Sequence, residues 1–308
     1  MEYIKRVPVA LSGVMLGTLA LGNLLQSYSE TIRAVCGLMA LFLLLLLLLK
    51  LLLFPAAVGE ELKTAVGAGV SATFPMSLML FSVYGKPWLG AGAQILWYFA
   101  IFLHLLLILY FTWRFVLHFE WKNVFTVWYI VYVGIVVSSL TAPAYERTDI
   151  GSAAFWFGFV TYMILLPIVF YRVIKVKNIP EPAQPTFAVF AAPAALLLAG
   201  YMAKTFPEKN LAIVYFLLFL TILLYVMVLV SLPKLLKLPF YPSYSAFTFP
   251  TAISALGLKL ATKFLKESGV NVAILAKLVS VAEIVATVII IYVIIRHMMF
   301  MMTDSQKN

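Results

Sequence analysis

The residue types that carry most protein chemistry are scarce in this chain of 308 residues, which has three histidines, one cysteine and twelve carboxylates. His104, His118 and His297 stand too far apart for zinc-ligand spacing, and the lone Cys36 sits in an apolar run, so no CxxC motif or internal disulfide exists. No nucleophile has a base within motif range. An enzyme, a metal centre and a cofactor site are therefore all set aside. The chemistry that remains is steric and electrostatic, and two places could perform it. Ala246-Phe247-Thr248-Phe249-Pro250 puts a helix-breaking proline at the middle of a membrane-length apolar run. Proline removes a backbone donor, and in lipid the freed carbonyl is tolerated only inside protein or beside a water-filled cavity. Glu283 lies about thirteen residues into another such run, about 20 Å deep at 1.5 Å per residue. An ionisable group at that depth is a candidate for a proton relay or a buried ion pair.

The elements that must position these residues are transmembrane helices. The chain is 64% hydrophobic and 11% charged, with a mean hydropathy of +1.04, more apolar surface than a soluble core can hide. Ten spans of about 18 to 25 residues are expected, at roughly 7–27, 32–54, 66–84, 90–112, 125–143, 152–171, 186–204, 211–232, 243–263 and 270–295. The odd-numbered spans begin about 59, 59, 61 and 57 residues apart, which predicts five helical hairpins related by an axis along the membrane normal. Small or breaking residues concentrate on the odd spans: Gly13 and Gly17, Pro75, Gly134, Pro193 and Pro250. Even spans are smoothly aliphatic, Pro167 excepted. Small and kinked helices approach one another closely or border a cavity. The economical arrangement is an all-α integral membrane protein, a single ten-span domain over residues 1–308. In it an inner five-helix ring forms a pore inside an outer five-helix ring, with the breakers kinking the inner helices.

The net charge of +10 resides in the loops, so it reports topology rather than nucleic-acid binding. Thirteen of the 22 basic residues fall on the side of the amino terminus, Lys307 among them. That bias predicts both termini in the cytoplasm, in a multi-pass protein of the cell membrane.

Residues spread in order over the chain carry a resemblance. Gly13-Val-Met-Leu-Gly17, Ala72-Thr-Phe-Pro-Met-Ser77, Phe119-Glu120, Ala191-Ala-Pro-Ala194 and Ala246-Phe-Thr-Phe-Pro250 resemble motifs of the tellurite-resistance/dicarboxylate transporter family. That family includes TehA and the slow anion channel of plant guard cells. The resemblance implies a homotrimer with a separate pore in each subunit, conducting or transporting small inorganic or carboxylate anions. It also implies that a phenylalanine of the ninth span, here Phe249, occludes the pore. Met15 stands where TehA has a proline, and Val131 and Val136 replace a proline and an asparagine, which makes the expected wall more apolar.

On this reading Phe249 blocks hydrated ions sterically and by dewetting. Gly13, Met15, Gly17, Pro75, Ser77, Gly134, Val136, Pro193, Thr248 and Pro250 shape or line the path. Phe247, about 200° around the helix, faces into packing. With no lysine or arginine at mid-depth of an odd span, selectivity rests on a diffuse positive field and on dipoles such as Ser77 and Thr248. Lys259 and Lys263 snorkel to the interface. His104 is a satisfied packing group, and His118 and His297 are edge anchors. The alternative function is a secondary transporter of a C4-dicarboxylate, sulfite or tellurite-related anion, with Glu283 relaying protons. A sealed sensor or scaffold is the third reading.

Overall fold

A computed structural model describes residues 2–302; Lys307 lies outside them. The described residues are helical, without strands. A short α1 (Glu2–Arg6) leads to α2 (Leu11–Leu25). The long α3 (Glu30–Leu53) begins where the Ser29 hydroxyl accepts the Ile32 N–H. Next come α4 (Pro55–Leu62), with proline at its first position, and α5 (Ala65–Ser71), capped by the Thr64 hydroxyl. They are followed by α6 (Thr73–Leu89) and α7 (Ala91–Phe111), the latter ending in a π-helical turn, Thr112–Val116. Past a 3₁₀ turn at Trp121–Asn123, α8 (Trp128–Val133) and α9 (Val137–Thr141) are joined by a 3₁₀ segment, Gly134–Val136. A 3₁₀ turn, Ala142–Tyr145, precedes α10 (Thr148–Tyr171), which also ends in a π turn, Arg172–Val176. The 3₁₀ segment Glu181–Ala191 runs into α11 (Ala192–Met202), and α12 (Leu211–Leu235) follows. The 3₁₀ segment Pro242–Phe247 runs into α13 (Thr248–Glu267), and α14 (Ala273–Met302) completes the described chain.

Among the described residues, eight helical stretches are long and apolar enough to cross a membrane. The first and ninth expected spans are the two that fall short, the first in length and the ninth in composition. Helix α2 has only 15 residues, and α13 ends on Lys259, Lys263, Lys266 and Glu267. Burial separates the odd spans from the even ones. The third, fifth and seventh have 72%, 72% and 89% of their apolar stretch buried, whereas the even spans have between 28% and 39%. Aliphatic side chains on α3, α7, α10, α12 and α14 are thus left outward, where a bilayer would solvate them.

The prolines act differently from the mid-helix kinks expected of them. Pro75 and Pro250 are the third residues of α6 and α13, and Pro193 is the second of α11. A helix has no internal acceptor for the N–H groups of its first turn, so proline sacrifices nothing there. Each marks a junction where an α-helix starts after a short break or a 3₁₀ segment.

Hydrogen bonds between successive odd spans join residues 60 to 66 positions apart. The Ser12 and Thr73 hydroxyls lie 2.7 Å apart, Thr126 donates to the Thr186 carbonyl at 2.6 Å, and Ser254 donates to the Ala191 carbonyl at 3.2 Å. Nearer the other end, Tyr84 donates to Leu19, Tyr145 to Ser82 and Thr205 to Ser139. Their separations repeat the hairpin period read from the sequence. Helix α2 packs on α6, α6 on α9, α9 on α11, α11 on α13, and α13 back on α2.

Candidate functional site: an axial cavity beside Phe249

The breaks in the odd spans lie around one small cavity. Gly13 of α2, Thr73 and Met76 of α6, Ile130 and Val133 of α8, Gly134, Ala192, Pro193 and Leu196 of α11, and Phe249 and Pro250 of α13 all border it. All five odd spans contribute. The cavity holds about 40 Å³ of space for water centres, and a water needs at least about 10–15 Å³ on that measure. A few waters fit; a hydrated ion does not.

The surface turned to this space is apolar. The Thr73 hydroxyl is engaged elsewhere, donating to the Val70 carbonyl at 2.7 Å; just behind the wall, Ser77 donates to the Thr73 carbonyl at 2.7 Å and the Ser12 carbonyl at 3.1 Å. Tyr129 also borders the cavity, and its buried hydroxyl has no hydrogen-bond partner. No charged side chain among the described residues borders the space. An apolar constriction of this size excludes ions by dewetting.

Phe249 retains 6% of its surface, whereas Phe247 retains none. The Phe247 ring packs against Tyr244, with centroids 5.0 Å apart, away from the cavity. Of the residues expected along the path, Gly13, Gly134, Pro193, Phe249 and Pro250 border the cavity, and Met15, Gly17, Pro75, Ser77, Val136 and Thr248 do not. Those six are buried. A Cβ on Gly17 would come within 2.3 Å of the Thr248 Cβ, so glycine is what lets α2 and α13 touch. Val136 fills the space beside Gly158 and Gly200. The apolar wall comes instead from Met76, Ile130, Val133, Val189 and Leu196, which sequence reading missed. Their signal was available: most sit within a helical turn of a break, at spacings of three or four residues.

His104 stands behind this wall and is wholly buried. Its Nε2 donates to the Val131 carbonyl at 2.9 Å, which holds the ring between α7 and α8 as a packing group. His297 is buried too, bonding the carbonyls of Val293 and Pro242, and is not a surface anchor.

Glu283 lies apart from the cavity, ten residues into α14. Its Oε1 accepts from Lys259 Nζ at 2.7 Å and its Oε2 from the Tyr28 hydroxyl at 2.8 Å. Lys259 also donates to the Leu24 carbonyl at 2.9 Å and the Ser27 hydroxyl at 2.8 Å. An ammonium has three N–H groups, so all three are taken. Lys259 therefore points inward and ties α2, α13 and α14 together, in place of the snorkelling expected of it. The Tyr28 phenol, in the turn between α2 and α3, is pushed above its ordinary pKa chiefly by donating to the Glu283 carboxylate. No group of three or more His, Cys, Asp or Glu among the described residues could hold a metal ion.

No curated protein matches the chain. The sequence model of the voltage-dependent anion channel family matches residues 6–298. With nearly the whole chain covered, an all-helical membrane architecture and a cavity bordered by its alternate spans, this protein belongs to the voltage-dependent anion channel family, that of TehA and the slow anion channels.

Proposed function

We propose that the protein is an anion channel whose inner elements form a five-helix ring within an outer five-helix ring, and that Phe249 closes the pore along the ring axis. The observation that carries this reading is the position of Phe249 in a small apolar cavity bordered by all five odd spans. With no fixed charge at the constriction, conduction favours anions through the protein's net charge of +10 and through backbone dipoles, so selectivity among small inorganic anions and carboxylates is weak. The subunits assemble as a homotrimer, one pore each, in the cell membrane with both termini in the cytoplasm.

Single-channel recording on purified, reconstituted protein tests the proposal. The expected result is a small or absent wild-type current with chloride, nitrate or malate. In Phe249→Ala, a larger current should reverse at the anion's Nernst potential. An unchanged current in Phe249→Ala removes Phe249 from gating. Saturating exchange without current in both proteins supports the alternative, a secondary transporter of a C4-dicarboxylate, sulfite or tellurite-related anion. Glu283 as a proton relay for such a carrier draws less support, because both carboxylate oxygens are engaged in a tie between helices.

A further inference from the structure

We propose that a second, lateral cavity takes one acyl chain from the surrounding bilayer. This cavity, of about 190 Å³, lies between α3 and α7 and is backed by the odd spans. Leu47, Leu51, Phe74, Leu103 and Leu107 are among the residues that border it, and its surface is apolar. Its polar residues turn their heads elsewhere. Ser71 donates to the Ala68 carbonyl at 2.7 Å, Ser12 to the Val9 carbonyl at 2.7 Å, and Lys50 is paired with Glu61 at 2.5 Å. Apolar cavities of about 150 Å³ stay dry and bind small apolar molecules. A void of this kind forfeits dispersion contacts along its whole lining, and water entering it finds no partner.

What stands at the mouth decides the occupant. Leu51 at the rim is 46% exposed, and Leu48, Leu49, Leu105 and Leu106 on the flanking helices are exposed as well. The rim is thus continuous with aliphatic faces that bilayer hydrocarbon covers. One end is closed by Val58 and Leu62 of α4. Glu61 holds that helix in place by pairing with Lys50 and by accepting the Val9 N–H at 2.9 Å. A lipid tail entering sideways between α3 and α7 is therefore the ligand that fits, rather than a solute from the aqueous phase. The occupant would lie one hydrogen bond from the axial cavity: Ser12 borders the lateral cavity, Thr73 borders the axial one, and their hydroxyls are 2.7 Å apart.

The test uses the full chain in nanodiscs containing a phospholipid with a photoactivatable diazirine on its acyl chain. Irradiation, digestion and mass spectrometry locate the label. The expected result is label on Phe74 and Ser71, which belong to an odd span, as well as on the exposed Leu105 and Leu106. Leu107→Trp, which fills the cavity, should abolish label on Phe74 and Ser71 while leaving that on Leu105 and Leu106. Leu47→Phe serves as a second filling variant if Leu107→Trp does not fold. Label confined to exposed side chains overturns the proposal, as does label on Phe74 that persists in both filled variants. A mouth covered by another subunit would leave Leu51 unlabelled too, and overturns it equally. None of these readouts depends on whether the protein conducts anions.

Discussion

The hydroxyl of Thr248 is shared between the carbonyls of Gly13, at 2.8 Å, and Ser245, at 2.7 Å. It fastens the residue beside Phe249 to the first membrane helix, 235 positions away in sequence. The same hydroxyl satisfies a carbonyl in the 3₁₀ segment that leads into α13. Thr248→Val keeps the shape and removes the donor. Both carbonyls keep backbone partners, the Ser245 one in the Thr248 N–H, so losing the hydroxyl costs a net hydrogen bond, about 0.5–1.5 kcal/mol. The expected outcome is a lower melting temperature in detergent, together with higher basal current as α13 loosens from α2. Thr248→Ser, which keeps the donor, should restore the current to the wild-type level.

Phe249 and Phe247 should separate cleanly. Truncating a buried phenylalanine costs about 3–5 kcal/mol, so both alanine variants lose thermal stability. Only Phe249→Ala is expected to raise anion current, because only Phe249 borders the axial cavity. Equal current from both variants would sink the gate.

Gly17→Ala should damage the protein although alanine is the better helix former. Its Cβ would approach the Thr248 Cβ to 2.3 Å and the Phe249 backbone nitrogen to 2.9 Å. Neither is the end of a flexible side chain. Overpacking of this kind costs about 1–3 kcal/mol. Thermal unfolding measures the loss, and an unchanged melting temperature would show that α2 and α13 can part freely.

Glu283→Gln is expected to lower stability by about 2–3 kcal/mol, since it strips the Lys259 ammonium of its counter-ion where that side chain is only 24% exposed. Replacing both partners, Lys259→Met with Glu283→Leu, should cost less than the sum of the single changes. Anion flux under a proton gradient should respond no differently in Glu283→Gln than in wild type. A lost proton-gradient dependence would return Glu283 to the role of relay.

The Tyr28 hydrogen bond to Glu283 also predicts an alkaline limit. Because the folded protein holds this phenol above its ordinary value of 10.0, the neutral form is favoured by folding. The contribution is therefore complete below the unfolded pKa and is lost as pH rises through the folded one. Melting temperatures measured from about pH 7 to about pH 11 should fall more steeply at the alkaline end for wild type than for Tyr28→Phe.

Much of this was legible in the residues because the governing signals are local. Continuous hydropathy fixes the membrane class, and the starts of alternate spans gave a period close to the separations of the inter-span hydrogen bonds. The Phe-Pro step pointed to the one phenylalanine of its pair that borders the cavity. Met15, Ser77, Val136 and Thr248 lie on the expected helices yet do not border the cavity. Pro75, Pro193 and Pro250 looked like kinks because sequence does not show that an α-helix starts two residues before each of the first and last, and one before the second. Glu283 and Lys259 are 24 positions apart, and nothing local foretells that one ammonium also takes Leu24 and Ser27.

The sequence by itself therefore determined the kind of solvent this chain is built for and the spacing of its apolar segments. Those follow from composition and period, which need no partner. Only the tertiary structure decided which side chains face the axis. The rotation of each segment depends on where its 3₁₀ turns give way to α-helix. It depends equally on contacts such as Gly17 with Thr248 and Val136 with Gly158 and Gly200, made by residues far apart in the chain.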